Sequence, residues 1–453
     1  MYDPLVDNNI AGEQAYPKSY WADISTQAPA ADGKVNEDIE ADVVIIGAGY
    51  TGLSCALELA KEHGIKALVL EANKVAWGCS GRNAGFILKS SGRKSYAQMA
   101  QQWGLEVMQG IYDEMNQGVE RVKRLIRQME TLGIDCQQQA SGFLKVAHKP
   151  SMMKSLVAQA KLQQQTLAHY ANNNIEILSQ QQVRQHYMDD HNAYGAIRYQ
   201  DGFGLNPLKL AWGYQTLAQQ AGAKIYTASP VINWQKQNNR HILQTPKGSV
   251  SAQKVVIATN GYTPKNFHSL VTNRSLPVLS QIIVTEALTA EQIAACNFLT
   301  TNVVMDTRAL KYYYRKLPDN RILFGGRGAI TGKGADDPYY ADRLLSVLKT
   351  SFPELANIHY QYAWAGWICV SLDDIPHVYH DENEDVFYAM GYCGSGVSFS
   401  SQAGKRLADK IAEKIIPKLP IYQTPLPKFP LAPLRRLGQW GYFHYGKIKD
   451  TYF

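Results

Sequence analysis

Cysteine is scarce in this chain, and no two cysteines form a C-x-x-C pair. Six occur among 453 residues, at Cys55, Cys79, Cys136, Cys296, Cys369 and Cys393. This spacing is typical neither of a zinc site nor of a disulfide framework. We therefore predict no metal site, and we expect a reducing compartment, the cytoplasm.

Long apolar runs and strong charge imbalance are also missing. No stretch approaches the about 20 apolar residues that span a membrane, and Met1 to Asp7 lack the features of a signal peptide. Lysine and arginine number 46 against 39 acidic residues, with no dense basic run. We expect no transmembrane segment and no nucleic-acid partner. At 453 residues, two joined domains are expected.

The clearest positive signal is a glycine-rich turn that follows a short apolar run. Segment 47–52, Gly-Ala-Gly-Tyr-Thr-Gly, fits G-x-G-x-x-G and precedes apolar residues at helical spacing. Gly47 permits the tight turn, Gly49 lets the backbone approach a pyrophosphate, and Gly52 lets helix and strand pack closely. Residues 67–70 then predict a second buried strand. The context predicts a dinucleotide with its phosphates at a helix N-terminus.

Two further features select the dinucleotide. Glu71 ends the second predicted strand, where a carboxylate accepts both ribose hydroxyls and repels a 2′-phosphate, which favours FAD or NAD over NADP. A second glycine-rich turn, 391–397, lies between a strand predicted at 386–391 and a helix predicted at 400–415. A flavin ring needs such a second cradle, and helix N–H groups there stabilise the reduced ring. We therefore predict FAD.

The remaining pattern predicts an α/β chain whose first domain is discontinuous. Apolar strands fall early, in the middle and late in the chain, and alternating strands run from 276 to 328 with a hairpin turn at Asp319–Asn320. Periodicity predicts helices over 94–133, 150–188 and 338–352.

These motifs resemble those of the FAD-dependent D-amino-acid-oxidase-type amine oxidoreductases, which include sarcosine oxidase and glycine oxidase. The resemblance rests on the first glycine turn, segment 78–85 (Gly-Cys-Ser-Gly-Arg-Asn-Ala-Gly), segment 258–262 and the late glycine turn. Segments 313–326 and 364–367 are most similar to those of γ-glutamylputrescine oxidases. The resemblance implies a Rossmann-like FAD-binding domain joined to an α+β substrate domain with a large antiparallel sheet.

The expected domain boundaries follow from that architecture. They are 1–38 for an N-terminal arm, 39–90, 190–265 and 362–420 for the FAD-binding domain, 91–189 and 266–361 for the substrate domain, and 421–453 for a C-terminal tail.

The resemblance also implies the residues that hold FAD. Gly366 stands where sarcosine oxidases carry the cysteine that attaches FAD, so we expect non-covalent FAD. The expected cofactor-binding residues are Gly47, Gly49, Tyr50, Thr51, Gly52, Glu71, Ala72, Ser80, Gly81, Arg82, Asn83, Ala84, Gly85, Val231, Thr259, Gly261, Gly394, Ser395, Gly396 and Val397.

The implied chemistry is oxidation of an amine to an imine, which water hydrolyses to an aldehyde or keto acid. An aromatic pocket suits it, because desolvation lowers the pKa of the amine. We expect Tyr312, Tyr314 and Trp367 to be catalytic. Tyr312 and Tyr314 share one side of their strand and Tyr313 faces the other. The alternative is that this aromatic stripe is sheet core.

The substrate and the electron acceptor stay open at this stage. Arg315 or Arg327 is a candidate for binding a substrate carboxylate, although most arginines are exposed. Candidate substrates are a polyamine conjugate such as γ-glutamylputrescine, an N-methyl amino acid or a small amino acid. Related oxidases place a lysine over the flavin to promote its reaction with O2, and the alignment puts Phe324 at that position. The electron acceptor is therefore either O2 or another molecule.

Two alternatives concern partners. The tail 434–443 is basic and aromatic, which is typical of a weak peripheral membrane contact. Such a contact would suit a dehydrogenase that passes electrons to a quinone or a protein. The other interpretation of the tail is a C-terminal arm packed on the body. The other alternative is a flavoprotein with an assembly or modification role on a protein partner.

Overall fold

The computed structural model describes residues 1–170 and 174–452. The strands are β1 (Ile39–Ile46), β2 (Leu68–Leu70), β3 (Phe86–Ile87), β4 (Phe143–Val146), β5 (Ile175–Ser179), β6 (Gly195–Tyr199), β7 (Phe203–Gly204), β8 (Lys224–Tyr226), β9 (Asn233–Gln237), β10 (Arg240–Gln244), β11 (Ser249–Ile257), β12 (Leu276–Thr285), β13 (Val303–Asp306), β14 (Tyr313–Lys316), β15 (Ile322–Arg327), β16 (Tyr360–Val370), β17 (His377–Asp381) and β18 (Val386–Met390). The helices are α1 (Tyr20–Ile24), α2 (Tyr50–His63), α3 (Tyr96–Trp103), α4 (Leu105–Thr131), α5 (Pro150–Thr166), α6 (Gln180–His186), α7 (Pro207–Gln220), α8 (Ala290–Ala295), α9 (Pro338–Ser351), α10 (Gly396–Ile411), α11 (Pro420–Gln423) and α12 (Arg435–Tyr452).

The first sheet joins strands from three distant parts of the chain. Its order is β17-β18-β11-β1-β2-β8, parallel from β18 to β8. All of β2 and β18 and the C-terminal ends of β1 and β11 are apolar and buried, as expected for parallel strands covered on both faces. The sheet therefore forms the discontinuous Rossmann-like unit that the glycine turns predict.

The second sheet is almost wholly antiparallel. Its order is β16-β12-β15-β14-β13-β4-β6-β5, and within it β13 and β4 run parallel. The hairpin predicted over 311–326 is present as β14 and β15. Asn320 at its turn has φ of 64°, a conformation that asparagine tolerates better than most residues. Helix α9 packs Leu344 and Leu348 into the core on one face of this sheet.

Several predicted elements differ from the structure. The helix predicted over 150–188 ends at Thr166, because Ile175 and its neighbours pair with β6 instead; residues 171–173 of that prediction lie outside the described residues. The helix predicted over 94–133 is divided at Gly104, whose φ is 85°. The helix predicted at 400–415 occupies 396–411 as α10.

Two predicted domain boundaries do not match the strand pairing. Strand β6 lies within 190–265 and most of β16 within 362–420, yet both pair inside the second sheet. Sheet pairing is a tertiary property that local pattern does not reveal. We propose the same two-domain division with β6 and β16 assigned to the substrate domain.

Both chain ends pack on the body. In the N-terminal arm, Tyr20 and Trp21 are buried. The tail ends in α12, which sequence periodicity did not predict, and Phe453 lies outside the described residues. Asp450 of α12 accepts hydrogen bonds from the backbone N–H groups of Ala309 and Leu310 at 2.6 and 3.0 Å. Within residues 1–170 and 174–452, no helix has the length and apolar character needed to cross a membrane.

Candidate active site

A cavity of about 610 Å³ lies between the two sheets. At one end it is lined by the turn that joins β1 to α2, and in the middle by segment 76–84. At the other end it reaches one face of the second sheet and two residues of α12, Tyr442 and Lys449. The cavity is long enough to join a nucleotide cradle to an aromatic wall.

The first glycine turn is built for close backbone contacts. Gly47 has φ of 108°, and Gly49 lines the cavity where α2 begins. A Cβ atom at position 52 would lie 2.0 Å from the backbone oxygen of Gly47, so only glycine fits between α2 and the turn. This arrangement points the N-terminus of α2 at the cavity, where it stabilises a phosphate.

Glu71 is fixed by the backbone beside this turn. Its Oε2 accepts from the N–H of Ala48 and its Oε1 from the N–H of Asn73, each at 2.9 Å. Burial raises the pKa of Glu71 even though these hydrogen bonds favour the carboxylate. Because Glu71 also lines the cavity, its remaining lone pairs are available to ribose hydroxyls.

Segment 76–84 forms the middle of the cavity wall. Ser80 Oγ accepts from the N–H of Tyr50 at 3.0 Å. The Arg82 guanidinium is buried, stacks on Trp77 at 4.3 Å and donates from Nε to the Trp77 carbonyl. The arm residue Trp21 donates from Nε1 to the carbonyl of Asn83 at 2.9 Å. The N-terminal arm thus braces this loop.

The second glycine turn lies on the opposite side of the cavity. Gly394 has φ of 87°, and Gly396 begins α10, whose N-terminus faces the cavity. Burial raises the pKa of Cys393 in this turn to about 11 and that of Cys369 nearby to about 12. Both therefore remain thiols at neutral pH, which opposes covalent attachment of a flavin.

Most residues expected to bind the cofactor line this cavity. They are Gly47, Gly49, Tyr50, Thr51, Glu71, Ala72, Ser80, Arg82, Asn83, Ala84, Val231, Thr259, Gly261, Gly394, Ser395, Gly396 and Val397. Gly52, Gly81 and Gly85 do not, because each is packed against backbone instead: a Cβ there would lie within 2.4 Å of a carbonyl oxygen. The Tyr50 side chain also turns inward and donates to the Pro207 carbonyl.

The far wall of the cavity is aromatic and apolar. Tyr313, Ile282 and Met305 face it from the second sheet, and Phe86 packs edge-on against Tyr313 at 5.9 Å. The Tyr313 and Ser280 hydroxyls are 2.6 Å apart. Burial raises the pKa of Tyr313 to about 12, so its phenol stays neutral and acts as a hydrogen-bonding group.

The three residues expected to be catalytic lie elsewhere. Tyr312 and Tyr314 point to the opposite face of β14, into the core beneath α9, where Tyr314 stacks on Phe324. Trp367 is fully buried and donates from Nε1 to the Tyr2 carbonyl at 2.7 Å. The expectation that they line the pocket is corrected: the alternation was right, but the cavity lies on the side of Tyr313.

Phe324 and Arg315 also lie elsewhere than expected, each for a different reason. Phe324 faces the α9 core rather than the cavity, so it does not occupy the position of an oxygen-activating lysine. Arg315 is buried and donates to the carbonyls of Ala84 and Leu205 at 3.2 and 2.6 Å. Arg315 therefore holds the loop beside the cavity, whereas Arg327 lines the cavity itself.

Sequence reasoning missed several cavity residues. The alternation of side chains along a strand separated Tyr313 from Tyr312 and Tyr314. No sequence pattern indicated that Tyr442 and Lys449 line the cavity, because only folding brings α12 to this place. The missed residues used below are Phe86, Arg93, Ser280, Ile282, Met305, Lys311, Tyr442 and Lys449.

Comparison with known proteins agrees with this geometry. The model of the DAO family, FAD dependent oxidoreductase, matches residues 42–410. The chain is 31% identical over 396 residues to "Gamma-glutamylputrescine oxidoreductase" of Escherichia coli, covering 87% of this chain and 88% of the relative. The structure resembles L-amino acid deaminase from Proteus myxofaciens (TM-score 0.70, 16% identity, 91% of this chain and 99% of that one) and glycine oxidase from Geobacillus kaustophilus (TM-score 0.66, 20% identity, 85% and 99%).

Proposed function

The chain belongs to the DAO family of FAD-dependent oxidoreductases, which act on amine or amino-acid donors, and we propose that it oxidises the primary amine of an acylated polyamine such as γ-glutamylputrescine. The observation that carries the proposal is that one continuous cavity joins the nucleotide cradle to the wall formed by Tyr313, Ile282 and Met305. The likeness to the γ-glutamylputrescine oxidoreductase supports the choice of substrate.

The residues of the cavity fit FAD. The first glycine turn and Glu71 suit the adenosine diphosphate half, and the two backbone N–H groups on Glu71 leave its outer lone pairs for the ribose. We propose that the bond to FAD is non-covalent, since Gly366 lines the cavity without a side chain and the nearby cysteines are protonated. Acid treatment should then release all of the flavin from the polypeptide.

The amine must be neutral to be oxidised, and the far wall favours that form. When bound, FAD accepts the two electrons that leave the α carbon of the amine. Phe86, Tyr313 and Ile282 exclude water from the amine, and low polarity lowers an amine pKa. The neutral phenol of Tyr313, with Ser280 beside it, orients the substrate by hydrogen bonding. Water hydrolyses the product imine to an aldehyde and ammonia.

Anaerobic mixing with a panel of amines tests the proposal. γ-Glutamylputrescine should bleach the visible absorption of the flavin, whereas NADH should not. Rapid bleaching by glycine or sarcosine alone would assign the protein to small amino acids instead. Bleaching by none of the amines would favour a role on a protein partner.

Reoxidation of the bleached enzyme identifies the electron acceptor. We propose that O2 accepts the electrons and is reduced to H2O2. Mixing the reduced protein with O2 or with a soluble quinone separates an oxidase from a dehydrogenase. Reoxidation by the quinone alone would replace the oxidase assignment.

Replacement of Tyr313 should separate function from stability. We expect Tyr313→Ala to slow amine oxidation at least tenfold with little change in flavin content. Tyr314→Ala should instead cost about 3–5 kcal/mol of unfolding free energy, as for a large buried aromatic, because it lies in the α9 core. Anaerobic reduction rates and urea denaturation measure the two effects. If both variants lost the same amounts of reduction rate and stability, Tyr313 and Tyr314 would not lie on different faces with different roles.

The outer face of α12 suggests a peripheral membrane contact. It exposes a row of large apolar side chains, namely Leu437, Trp440, Tyr445, Ile448 and Tyr452. Apolar and aromatic residues beside basic ones are typical of interfacial helices, and Lys447 and Lys449 lie on the same helix. We propose weak binding to the inner surface of the cytoplasmic membrane, in the compartment where the free cysteines persist.

Cosedimentation with vesicles tests the contact. Vesicles with phosphatidylglycerol should retain the protein more than vesicles of phosphatidylcholine, and a variant with Leu437→Ser, Trp440→Ser and Ile448→Ser should lose this binding. Equal recovery of both proteins would leave α12 as an arm packed on the body.

A further inference from the structure

Three cations converge on the cavity where it meets the second sheet. Arg93, Lys311 and Arg327, here called the entrance cluster, all line it. Burial lowers the pKa of Lys311, and Arg327 and Arg93 lower it further. Burial also lowers the pKa of Arg327, with Arg93 adding to the effect. These mutual effects show that the three charges are close to one another.

The entrance cluster has too few anions for its charge. Asp374 lies 3.6 Å from Arg93 and is partly exposed. Across residues 1–170 and 174–452, no carboxylate lies within 4.0 Å of Lys311 or Arg327, and neither side chain makes a hydrogen bond. Lys311 and Arg327 are partly buried, and taking a charge out of water without a partner costs free energy. Such a cost is offset when a ligand supplies the missing anion.

Tyr442 of α12 helps to position the cluster. Arg93 donates a hydrogen bond to its hydroxyl, and the Arg93 guanidinium lies 4.9 Å from its ring centre. Lys449, on the same helix, also lines the cavity. Helix α12 therefore adds both an orienting contact and a further positive charge to this end of the cavity.

The register of the second sheet sets the distance between the entrance cluster and the loop 76–84. Arg327 lies opposite Ser280, and Ser280 lies opposite Gly366. Gly366 in turn packs against Arg82 of the loop 76–84. Neighbouring strands are about 4.8 Å apart, so Arg327 stands roughly 10 Å along the sheet from Gly366. Lys311 lies two residues before Tyr313, which pairs with Gly325 of β15. Lys311 is therefore about one strand spacing farther from Gly366 than Arg327 is.

We infer that the entrance cluster binds a carboxylate at the far end of the amine substrate, which makes the preferred substrate an acylated diamine with a remote carboxylate. The inference rests on the proposed function and deepens it. Glycine and sarcosine carry the carboxylate only two bonds from the amine nitrogen and cannot reach both places. γ-Glutamylputrescine has about ten bonds between its amine nitrogen and its α-carboxylate, and at roughly 1.2 Å per bond in an extended chain it spans about 12 Å.

Arg327→Met tests the site with two matched amines. γ-Glutamylputrescine carries the carboxylate, and N-acetylputrescine presents the same amine without it. We expect the Kd of the variant for γ-glutamylputrescine in anaerobic flavin reduction to rise about 10- to 100-fold, since charge-assisted hydrogen bonds are lost. The limiting rate, and the Kd for N-acetylputrescine, should change less than threefold. Equal losses for both amines, or none, would overturn the inference.

Arg321→Met is the matched control. It removes the same charge from the other end of β15, where Arg321 pairs with the exposed Asp319. This variant should retain wild-type Kd values for both amines. Lys311→Met provides a second variant within the cluster, and it should show the selective loss even if Arg327→Met folds poorly.

A ligand that cannot be oxidised separates this inference from the proposed function. γ-Glutamylpentylamide keeps the carboxylate but has a methyl group in place of the reacting amine. Calorimetry should show that it binds the wild-type holoenzyme about 10- to 100-fold more tightly than Arg327→Met. That difference, together with no reduction by any amine, would overturn amine oxidation and support the carboxylate site. Equal binding by both proteins would overturn the site whatever the amines do.

Discussion

Arg315→Met should lower the free energy of unfolding by about 3–5 kcal/mol, because two or three buried acceptors lose their donor at about 1–3 kcal/mol each. Arg315 is fully buried and donates to the carbonyls of Ala84 and Leu205 and to Oε1 of Gln139. Ala84 lies in the loop that lines the cavity. The variant should therefore also bind FAD more weakly. Urea denaturation of the holoenzyme and flavin titration of the stripped protein measure the two losses.

Arg327→Met provides a contrast on the same hairpin. Arg327 carries a partly buried charge without a carboxylate partner in the part of the chain that the structure describes, so its removal should change stability little. Arg315 donates three hydrogen bonds, whereas within residues 1–170 and 174–452 the Arg327 side chain donates none, although both arginines lie in the same strand pair. If Arg315→Met left stability unchanged, the contacts that brace the loop would not contribute to folding as proposed.

The nucleotide end of the site was predictable because its signal is local. Gly47, Gly49 and Glu71 are close in sequence, and each has a task that a short strand–turn–helix unit already defines. The structure places all three on one cavity. The second glycine turn was equally clear, since a strand and a helix flank it directly.

The substrate end was not predictable to the same degree. Alternation along β14 correctly separated Tyr313 from Tyr312 and Tyr314, but alternation does not say which face meets the cavity. Helix α9 decides that by covering the face of Tyr314, and α9 follows β15 in the chain. The sequence also left Arg315 and Arg327 as equal candidates for a substrate carboxylate, because both lie on the face of Tyr313 and only long-range contacts turn Arg315 to the carbonyls of Ala84 and Leu205.

Contacts between distant segments account for the other differences. Helix α12 reaches the cavity through Asp450 and the backbone of Ala309 and Leu310, a pairing of residues more than a hundred positions apart. Strand β6 joins the second sheet by pairing with β4 and β5. Such partners are selected by packing, so a pattern within one segment does not reveal them.

Gly52→Ala should abolish FAD binding under conditions that saturate the wild-type protein. The added Cβ would lie 2.0 Å from the oxygen of Gly47 and 3.1 Å from the Ile45 side chain. The first contact is with backbone, so α2 and the turn must move apart, and overpacking of this kind costs about 1–3 kcal/mol or more. The N-terminus of α2 then no longer points at the phosphates. We expect a colourless protein whose FAD affinity falls at least about 100-fold, which corresponds to about 2.7 kcal/mol.

Gly438→Ala on α12 is the matched control. Apart from its chain neighbours and the backbone of its own helix, no atom of residues 1–170 and 174–452 lies within 4 Å of the Cβ position there, and alanine is the better helix former by about 1 kcal/mol. This variant should keep its flavin and melt at the same temperature or slightly higher. Circular dichroism shows whether the Gly52→Ala protein still folds. We expect that it does, because the strain is confined to the place where α2 meets β1 and does not reach the second sheet. A folded Gly52→Ala protein that binds FAD normally would contradict the position of the phosphates, because the only route from this substitution to FAD runs through that turn.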